Sequence, residues 1–228
     1  MNNVNLIVVA HPDDEILGFG ATGAKLVAAG EIVQPIILCG NVDARLMRPS
    51  DQELFDDMTK ANRLVGFSQP VLGSFPNIRM NTVAHIELVQ FIEKQIINFN
   101  PTRIFTHHPG DANNDHLEVS KACVAASRLY QRRDDIMALG SLYFMEILSS
   151  TEWSYPGANQ GGFQPTVFVE IDQFLQRKIA ALECYRTVMR PFPHPRSKEV
   201  VTGLAALRGA QSRKCYAEAF QLAYRSEI

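Results

Sequence analysis

The stretch that decides the fold is LIVVAHPDDE, an apolar run at Leu6–Val9 followed directly by a polar string at residues 10–15. A short apolar run of this kind predicts a buried strand, which the proline and the aspartates end. One imidazole, His11, and two carboxylates, Asp13 and Asp14, therefore lie together at the tip of a strand. An imidazole and a carboxylate can bind a metal ion while the second carboxylate serves as a base. The alternative is that Asp13 or Asp14 only caps the helix that follows.

A second polar cluster, DANNDH at residues 111–116, follows another apolar run at Thr102–Thr106. Ligands of open α/β sheets bind beyond the carboxyl ends of the strands, so two strand-end clusters can meet there although they lie far apart in sequence. His11, Asp14 and His116 would then supply two nitrogens and one oxygen. This is the three-ligand pattern of a catalytic zinc site, with a fourth position open for water.

The alternation of strand and helix patterns predicts an α/β fold, with a Rossmann-like, mostly parallel sheet and helices on both faces. Residues 51–65 are predicted to be a helix stopped by Gly66, and Thr82 is predicted to cap a helix at Val83–Phe99. A further strand is expected at Ser141–Leu148, and Pro35 is awkward for a central second strand.

The tail is predicted to be a C-terminal strand–helix extension. It contains a short strand at Val167–Val169, a helix capped by Asp172 and another helix capped by Ser197. We expect one domain over residues 1–228, because an α/β domain of this length need not divide.

The string AHPDDE, together with the later N-x-D-H at residues 113–116, resembles the PIG-L/LmbE-like family of zinc-dependent N-acetylglucosaminyl deacetylases. Other segments that look like family elements are Glu146–Trp153, Pro193–Ser197, Arg208–Gly209 and Tyr216–Phe220. The resemblance implies hydrolysis of an N-acyl group, usually acetate, from a small-molecule amino sugar or sugar conjugate. It does not identify the sugar. The family often assembles, so the resemblance admits a homo-oligomer.

The resemblance implies that His11, Asp14 and His116 bind Zn²⁺ and that Asp13 is the general base. Such ligands also suit other divalent metals, including iron, cobalt and manganese. Asp115 is a further catalytic candidate, which could orient a neighbouring imidazole. His107 and His108 are left out of the ligand set, because a His–His pair before a proline is more often structural or solvated.

A proton donor for the leaving amine must be found elsewhere. Many relatives carry an imidazole three residues before the last ligand, where this chain has Asn113. His194, in the proline-stiffened loop at residues 190–196, is our candidate, since its unperturbed pKa of ~6.5 suits the task. The alternative is a surface loop with a spectator histidine, with the acid role falling to water, Asp115 or His107.

Four residues are predicted to contact the substrate. Trp153 could present a flat apolar face to a sugar ring, and Arg196 could meet a phosphate or hydroxyl. The other two are Arg48, beyond the second strand, and Asn113.

Composition is that of a soluble globular enzyme, with 46% apolar and 20% charged residues. The net charge of −2 gives no electrostatic footprint for nucleic acid. No apolar run approaches the ~18 residues of a membrane helix, and the first residues do not read as a signal peptide. The four cysteines lack a C-x-x-C spacing, so we expect a reducing, cytoplasmic location.

Two other functions compete. GFGATG at residues 18–23 fits the dinucleotide-binding fingerprint, with Asp43 as the ribose carboxylate. That fingerprint needs its first glycine at the strand-to-helix turn, which the AHPDDE string occupies here. The second competitor is a non-catalytic metal- or sugar-binding module. Asp13 discriminates against it, because a binding module needs ligands but no spare base.

Overall fold

The computed structural model describes residues 3–41, 49–155 and 161–226. Within them the strands are β1 Val4–Val9, β2 Ile32–Ile37, β3 Val71–Leu72, β4 Arg103–His107, β5 Ser141–Met145, β6 Val167–Glu170 and β7 Ala217–Arg225. The α-helices are α1 Asp14–Ala28, α2 Asp51–Val65, α3 His85–Phe99, α4 Asn114–Ala126, α5 Leu175–Cys184 and α6 Lys198–Gln211. Short 3₁₀ turns lie at Met80–Thr82, Leu129–Gln131 and Thr151–Trp153.

These strands form one sheet in the order β3-β2-β1-β4-β5-β7-β6. The first five strands in that order are parallel, whereas β7 pairs antiparallel with both β5 and β6. This confirms the predicted Rossmann-like, mostly parallel sheet. Val8 of β1 is in register with Thr106 of β4. The carboxyl ends of these two strands, and the polar clusters that follow them, are therefore neighbours.

Apolar side chains cover both faces of the sheet. On β1, Ile7 and Val9 contribute to the core under α1, α2, α5 and α6, whereas Leu6 and Val8 contribute to the core under α3 and α4. Successive side chains of a strand point to opposite faces, so a strand buried on both sides needs a continuous apolar run. The run at Leu6–Val9 has this pattern because β1 lies inside the sheet.

Some of the helix ends and caps predicted from the sequence agree with the structure, and others differ from it. Helix α2 has the predicted bounds and ends at Gly66, whose φ of 82° is left-handed. Ser197 accepts the Val200 N–H and caps α6 as predicted. The predicted cap Thr82 is wrong, because it lies in a 3₁₀ turn and its hydroxyl donates to the Arg79 carbonyl. The predicted cap Asp172 is also wrong, because it accepts the Tyr216 N–H just before β7.

The glycines of the GFGATG string lie inside α1 and not at its start. A Cβ atom at Gly23 would lie 2.3 Å from Phe67, and one at Gly18 would lie 2.7 Å from Ile147. These glycines allow close packing around α1, and their place in the helix interior contradicts the phosphate-binding geometry of a dinucleotide fingerprint. Asp43 lies outside the described residues.

Among the described helices, none has both the length and the apolar character needed to span a membrane.

Candidate active site

The first polar cluster forms the tight connection between β1 and α1. Asp13 has φ 109° and ψ −29°, a conformation that is rare for residues other than glycine. The His11 N–H donates to Asp14 Oδ2 at 3.0 Å, which folds the turn back on itself. Asp13 occupies the N-cap position, but its side chain makes no capping bond. The helix-cap alternative therefore does not explain the two aspartates.

Three buried side chains converge at the ends of β1 and β4. One ligand atom from each of His11, Asp14 and His116 lies within 4.8 Å of the others. Asp14 Oδ2 is 3.4 Å from His11 Nδ1 and 3.2 Å from His116 Nε2. Although His116 Nε2 lies this close to Asp14, the contact lacks hydrogen-bond geometry, and this buried nitrogen forms no hydrogen bond within the described part of the chain. Two imidazole nitrogens and one carboxylate are a donor set that fits a divalent metal ion.

The charges around His116 favour a cation. Burial lowers the pKa of His116, but the carboxylates of Asp14 and Asp111 outweigh burial and raise it to about 10. Burial likewise raises the pKa of Asp14, but His116 and His11 outweigh it and hold that pKa well below its usual range. The site thus stabilises positive charge at the point where the three ligand atoms meet.

Asp115 fixes the orientation of His11. Its Oδ2 lies 3.0 Å from His11 Nε2, so Nδ1 is the nitrogen that faces Asp14. The same carboxylate accepts the backbone N–H groups of Ile78 and Met80 at 2.6 and 2.9 Å. The sequence analysis proposed Asp115 as an orienting group for a neighbouring imidazole, and the imidazole that it contacts is His11.

Asp111 does the same for His116, a role that the sequence analysis missed. Its Oδ2 lies 3.2 Å from His116 Nδ1, and its carboxylate accepts the hydroxyl protons of Ser150 and Thr151. Burial raises the pKa of Asp111, but the bond to His116 outweighs it and the pKa is about 2. Asp111 is the first residue of the DANNDH cluster, and this position is the sequence feature that could have marked it as a site residue.

A second combination, His107 with Asp111 and His116, also brings ligand atoms together. However, the His107 and His116 rings stack at 3.8 Å between centroids and 12° between planes. Each nitrogen lone pair lies in its own ring plane, so one ion cannot lie in both of these near-parallel planes. His107 Nε2 also accepts the Ala10 N–H at 2.8 Å. His11, Asp14 and His116 are therefore the better ligand set.

Asp13 lies beside these three residues and belongs to a different set of contacts. It is 1% exposed, and its N–H donates to Glu15 Oε2 at 3.0 Å. The Arg196 guanidinium donates to Asp13 Oδ2 at 3.1 Å and to Ser149 Oγ at 2.6 Å. The loop after α5 thus brings a cation onto this carboxylate.

A cavity of about 220 Å³ opens over the cluster. Its described lining residues are His11, Asp13, Asp14, Asn77, Ile78, Asn113, His116 and Arg196. Asn113 and Arg196 were predicted as substrate contacts, whereas Asn77 and Ile78 carried no sequence signal. Asn113 also caps α4, where its Oδ1 accepts the Asp115 N–H at 2.9 Å.

The remaining predicted residues lie outside this lining. His194 Nδ1 accepts the Arg196 N–H at 3.0 Å, in the loop that also carries Arg196. Burial lowers the pKa of His194, as do the charges of Arg196 and Arg190. Trp153 is 44% exposed in the 3₁₀ turn that follows Ser150. Arg48 lies outside the described residues.

A comparison with protein families matches residues 6–127, slightly more than half of the chain, to a model described as PIG-L, GlcNAc-PI de-N-acetylase. The uncharacterized deacetylase YaiS of Escherichia coli (strain K12) is 30% identical over 134 residues, which are 54% of this chain and 67% of that protein.

Several solved structures share the fold. The conserved protein TT1542 from Thermus thermophilus has a TM-score of 0.80 at 23% identity, over 100% of this chain and 97% of that one. GalB, the 4-carboxy-2-hydroxymuconate hydratase from Pseudomonas putida KT2440, has a TM-score of 0.78 at 17% identity, over 99% of this chain and 98% of that one. The N,N'-diacetylchitobiose deacetylase from Pyrococcus horikoshii has a TM-score of 0.75 at 17% identity, over 96% of this chain and 83% of that one. These likenesses show the fold alone, and the hydratase among them shows that function must be argued from the site.

Proposed function

The chain belongs to the PIG-L family, described as GlcNAc-PI de-N-acetylases, and from this premise we propose that it is a metal-dependent hydrolase that removes an N-acyl group from an amino sugar or sugar conjugate. N-acetyl is the acyl group that we favour. The observation that carries the proposal is that the two neighbouring aspartates, Asp13 and Asp14, make different contacts. Asp14 points at His11 and His116, whereas Asp13 lines the same cavity with its own partners. A binding module has no use for this second carboxylate.

Zn²⁺ is the metal that we propose, with another divalent ion as the alternative. The ligands would be His11, Asp14 and His116, whose donor set is that of many catalytic zinc sites. Bound there, the ion would polarise the acyl carbonyl and lower the pKa of water.

The protein's own residues then have separate tasks. Asp13 takes a proton from the water that attacks the acyl carbon, which is general-base catalysis. Arg196 supports the Asp13 carboxylate through its contact at 3.1 Å. Asp115 and Asp111 keep the two imidazoles turned toward Asp14 through the contacts at 3.0 and 3.2 Å.

The departing amine needs a proton, and we retain His194 as its donor. Because His194 Nδ1 accepts the Arg196 N–H, Nε2 is the nitrogen free to carry the transferable proton. Asp115 is less suitable as an acid. Burial raises its pKa, but the bond from His11 and the Met80 N–H outweigh burial and lower it. We therefore assign Asp115 to positioning His11.

Substrate contacts complete the proposal. Asn113 and Arg196 line the cavity and can bond to hydroxyl groups, and Trp153 offers an exposed ring for a sugar face. Arg48 is kept on the sequence argument alone. A single domain, a cytoplasmic location and a homo-oligomer also remain predictions from the sequence.

The test is acetate release across a panel of N-acetylated sugars and nucleotide sugars, with metal content measured on the same samples. Asp13→Asn should retain the metal and lose ~10²–10⁴-fold in turnover, since that is the usual contribution of a general base. Asp14→Asn and His116→Ala should lose the metal itself. Equal metal content and equal residual rate in the two aspartate variants would contradict the assignment. A metal-loaded wild-type protein that releases no acetate from any member of the panel would argue against the activity.

A further inference from the structure

Asp13 needs support from its surroundings, because its backbone is in a disfavoured conformation. A non-glycine residue at φ 109° persists only where neighbouring contacts over-determine it. One such contact is the bond from the Asp13 N–H to Glu15 Oε2. The direction of the Asp13 carboxylate therefore depends on where Glu15 is held.

Glu15 is fully buried and is held from two other elements of the fold. Its Oε1 accepts the Asn62 side-chain amide of α2 at 2.9 Å. The same oxygen accepts the hydroxyl of Tyr185, which follows the last residue of α5. Tyr185 is 2% exposed, so water does not substitute readily for its hydroxyl.

The Tyr185 hydroxyl is not needed to fill space. The ring packs in the apolar core under α1, α2, α5 and α6, and a phenylalanine ring would make the same apolar contacts there. A buried polar group in an apolar core is costly unless it is hydrogen-bonded, and here its partner is Glu15. The contribution that distinguishes tyrosine from phenylalanine at this position is therefore the orientation of Glu15.

We propose that Tyr185 is a positioning residue for the hydrolysis proposed above, on which this inference rests. The Tyr185 hydroxyl and the Asn62 amide fix Glu15, and Glu15 fixes Asp13 in the left-handed conformation that directs its carboxylate into the cavity. Tyr185 itself does not touch the substrate.

Tyr185→Phe tests the proposal with the smallest possible change. Turnover should fall ~10–100-fold, because displacement of a catalytic group by about 1 Å has effects of this size. KM and metal content should stay at the wild-type values. The control is Tyr224→Phe, which removes a hydroxyl from the exposed Tyr130–Tyr224 pair and should leave turnover unchanged.

A double variant separates positioning from a general structural effect. If Tyr185 acts through Asp13, then Tyr185→Phe should cost nothing further in an Asp13→Asn background. An equal loss in both backgrounds, a loss of metal, or wild-type turnover in Tyr185→Phe would each overturn the proposal. If Tyr185→Phe does not fold, Asn62→Leu removes the other donor to Glu15 Oε1 and should lower turnover in the same direction.

A readout that does not depend on activity distinguishes this inference from the proposed function. A crystal structure of Tyr185→Phe should show Asp13 outside the left-handed region or without its Arg196 contact. An unchanged Asp13 would overturn the positioning role even if the wild-type protein deacetylated every sugar. Conversely, Asp13 could be displaced in Tyr185→Phe while the wild-type protein shows no deacetylase activity. That result would support the positioning role of Tyr185 and contradict the proposed reaction.

Discussion

At the scale of single residues, the site depends on hydrogen bonds that set which imidazole nitrogen faces Asp14. The Asp115 carboxylate contacts His11 Nε2 and accepts the backbone N–H groups of Ile78 and Met80. In Asp115→Asn, only one side-chain oxygen remains to accept these three N–H groups. We expect metal affinity to fall ~10–100-fold, as is typical when the partner of a ligating histidine is lost. Competition with a chelator would measure this. Asp135→Asn, which changes an exposed carboxylate paired with Arg133, should leave the affinity unchanged.

His194 gives a second prediction at this scale, on pH. An acid catalyst is active when protonated, so turnover falls as pH rises through its pKa. Burial and the charges of Arg196 and Arg190 lower the pKa of His194, so this alkaline limb should lie below pH ~6.5. A pH–rate profile of His194→Ala should lack the limb and show reduced turnover with intact metal. If that profile retained the limb, the proton would come from another group.

At the scale of secondary-structure elements, two helix-interior glycines provide a matched pair. A side chain at Gly23 of α1 would collide with Phe67, whereas one at Gly203 of α6 would meet nothing within 4 Å. Gly23→Ala should therefore destabilise the protein by ~1–3 kcal/mol through overpacking. Gly203→Ala should stabilise it by ~0.5–1 kcal/mol, because alanine loses less backbone entropy in a helix.

Urea unfolding of both variants would measure the difference. A Gly23→Ala protein as stable as the wild type would show that α1 does not need its close approach to Phe67. In that case the packing explanation of the GFGATG string would fail.

At the scale of the whole molecule, a buried ion pair joins the C-terminal extension to the helix that carries the site. Lys178 of α5 lies 2.7 Å from Glu218 of β7, and both side chains are less than one-tenth exposed. Glu218 also accepts the N–H groups of Ala21 and Thr22 in α1, and Lys178 donates to the Leu17 carbonyl. The tail of the chain is thereby fixed to the element that begins with Asp14.

Breaking this pair from one side should be costly. Lys178→Met leaves a buried carboxylate without its cation, which typically destabilises a protein by ~3–5 kcal/mol. In the double variant Lys178→Met with Glu218→Gln, that uncompensated charge is gone, so the loss should be smaller than the sum of the two single losses. Thermal unfolding of the three variants checks this. Strictly additive losses would mean that the two side chains do not interact.

The sequence by itself determined the parts of the molecule that depend on local pattern. The apolar run at Leu6–Val9 specifies a strand buried on both faces, and Gly66 stops the helix at residues 51–65 as predicted. Because parallel strands end at one edge of a sheet, two polar clusters after two such strands were enough to predict that His11, Asp14 and His116 meet.

Only the tertiary structure decided how those residues are oriented and supported. Asp111 contacts His116 Nδ1, His107 stacks on His116, and Tyr185 reaches Glu15. The sequence predicted Asp115 as an orienting group, but the structure decided that its partner is His11. Strand β7 was likewise not predicted, since its antiparallel place between β5 and β6 depends on pairing with distant residues. The physical reason is common to all of these features. Periodicity reports which face of an element is buried, whereas the partner of a buried polar atom is set by which elements pack together, and that information is not local in the chain.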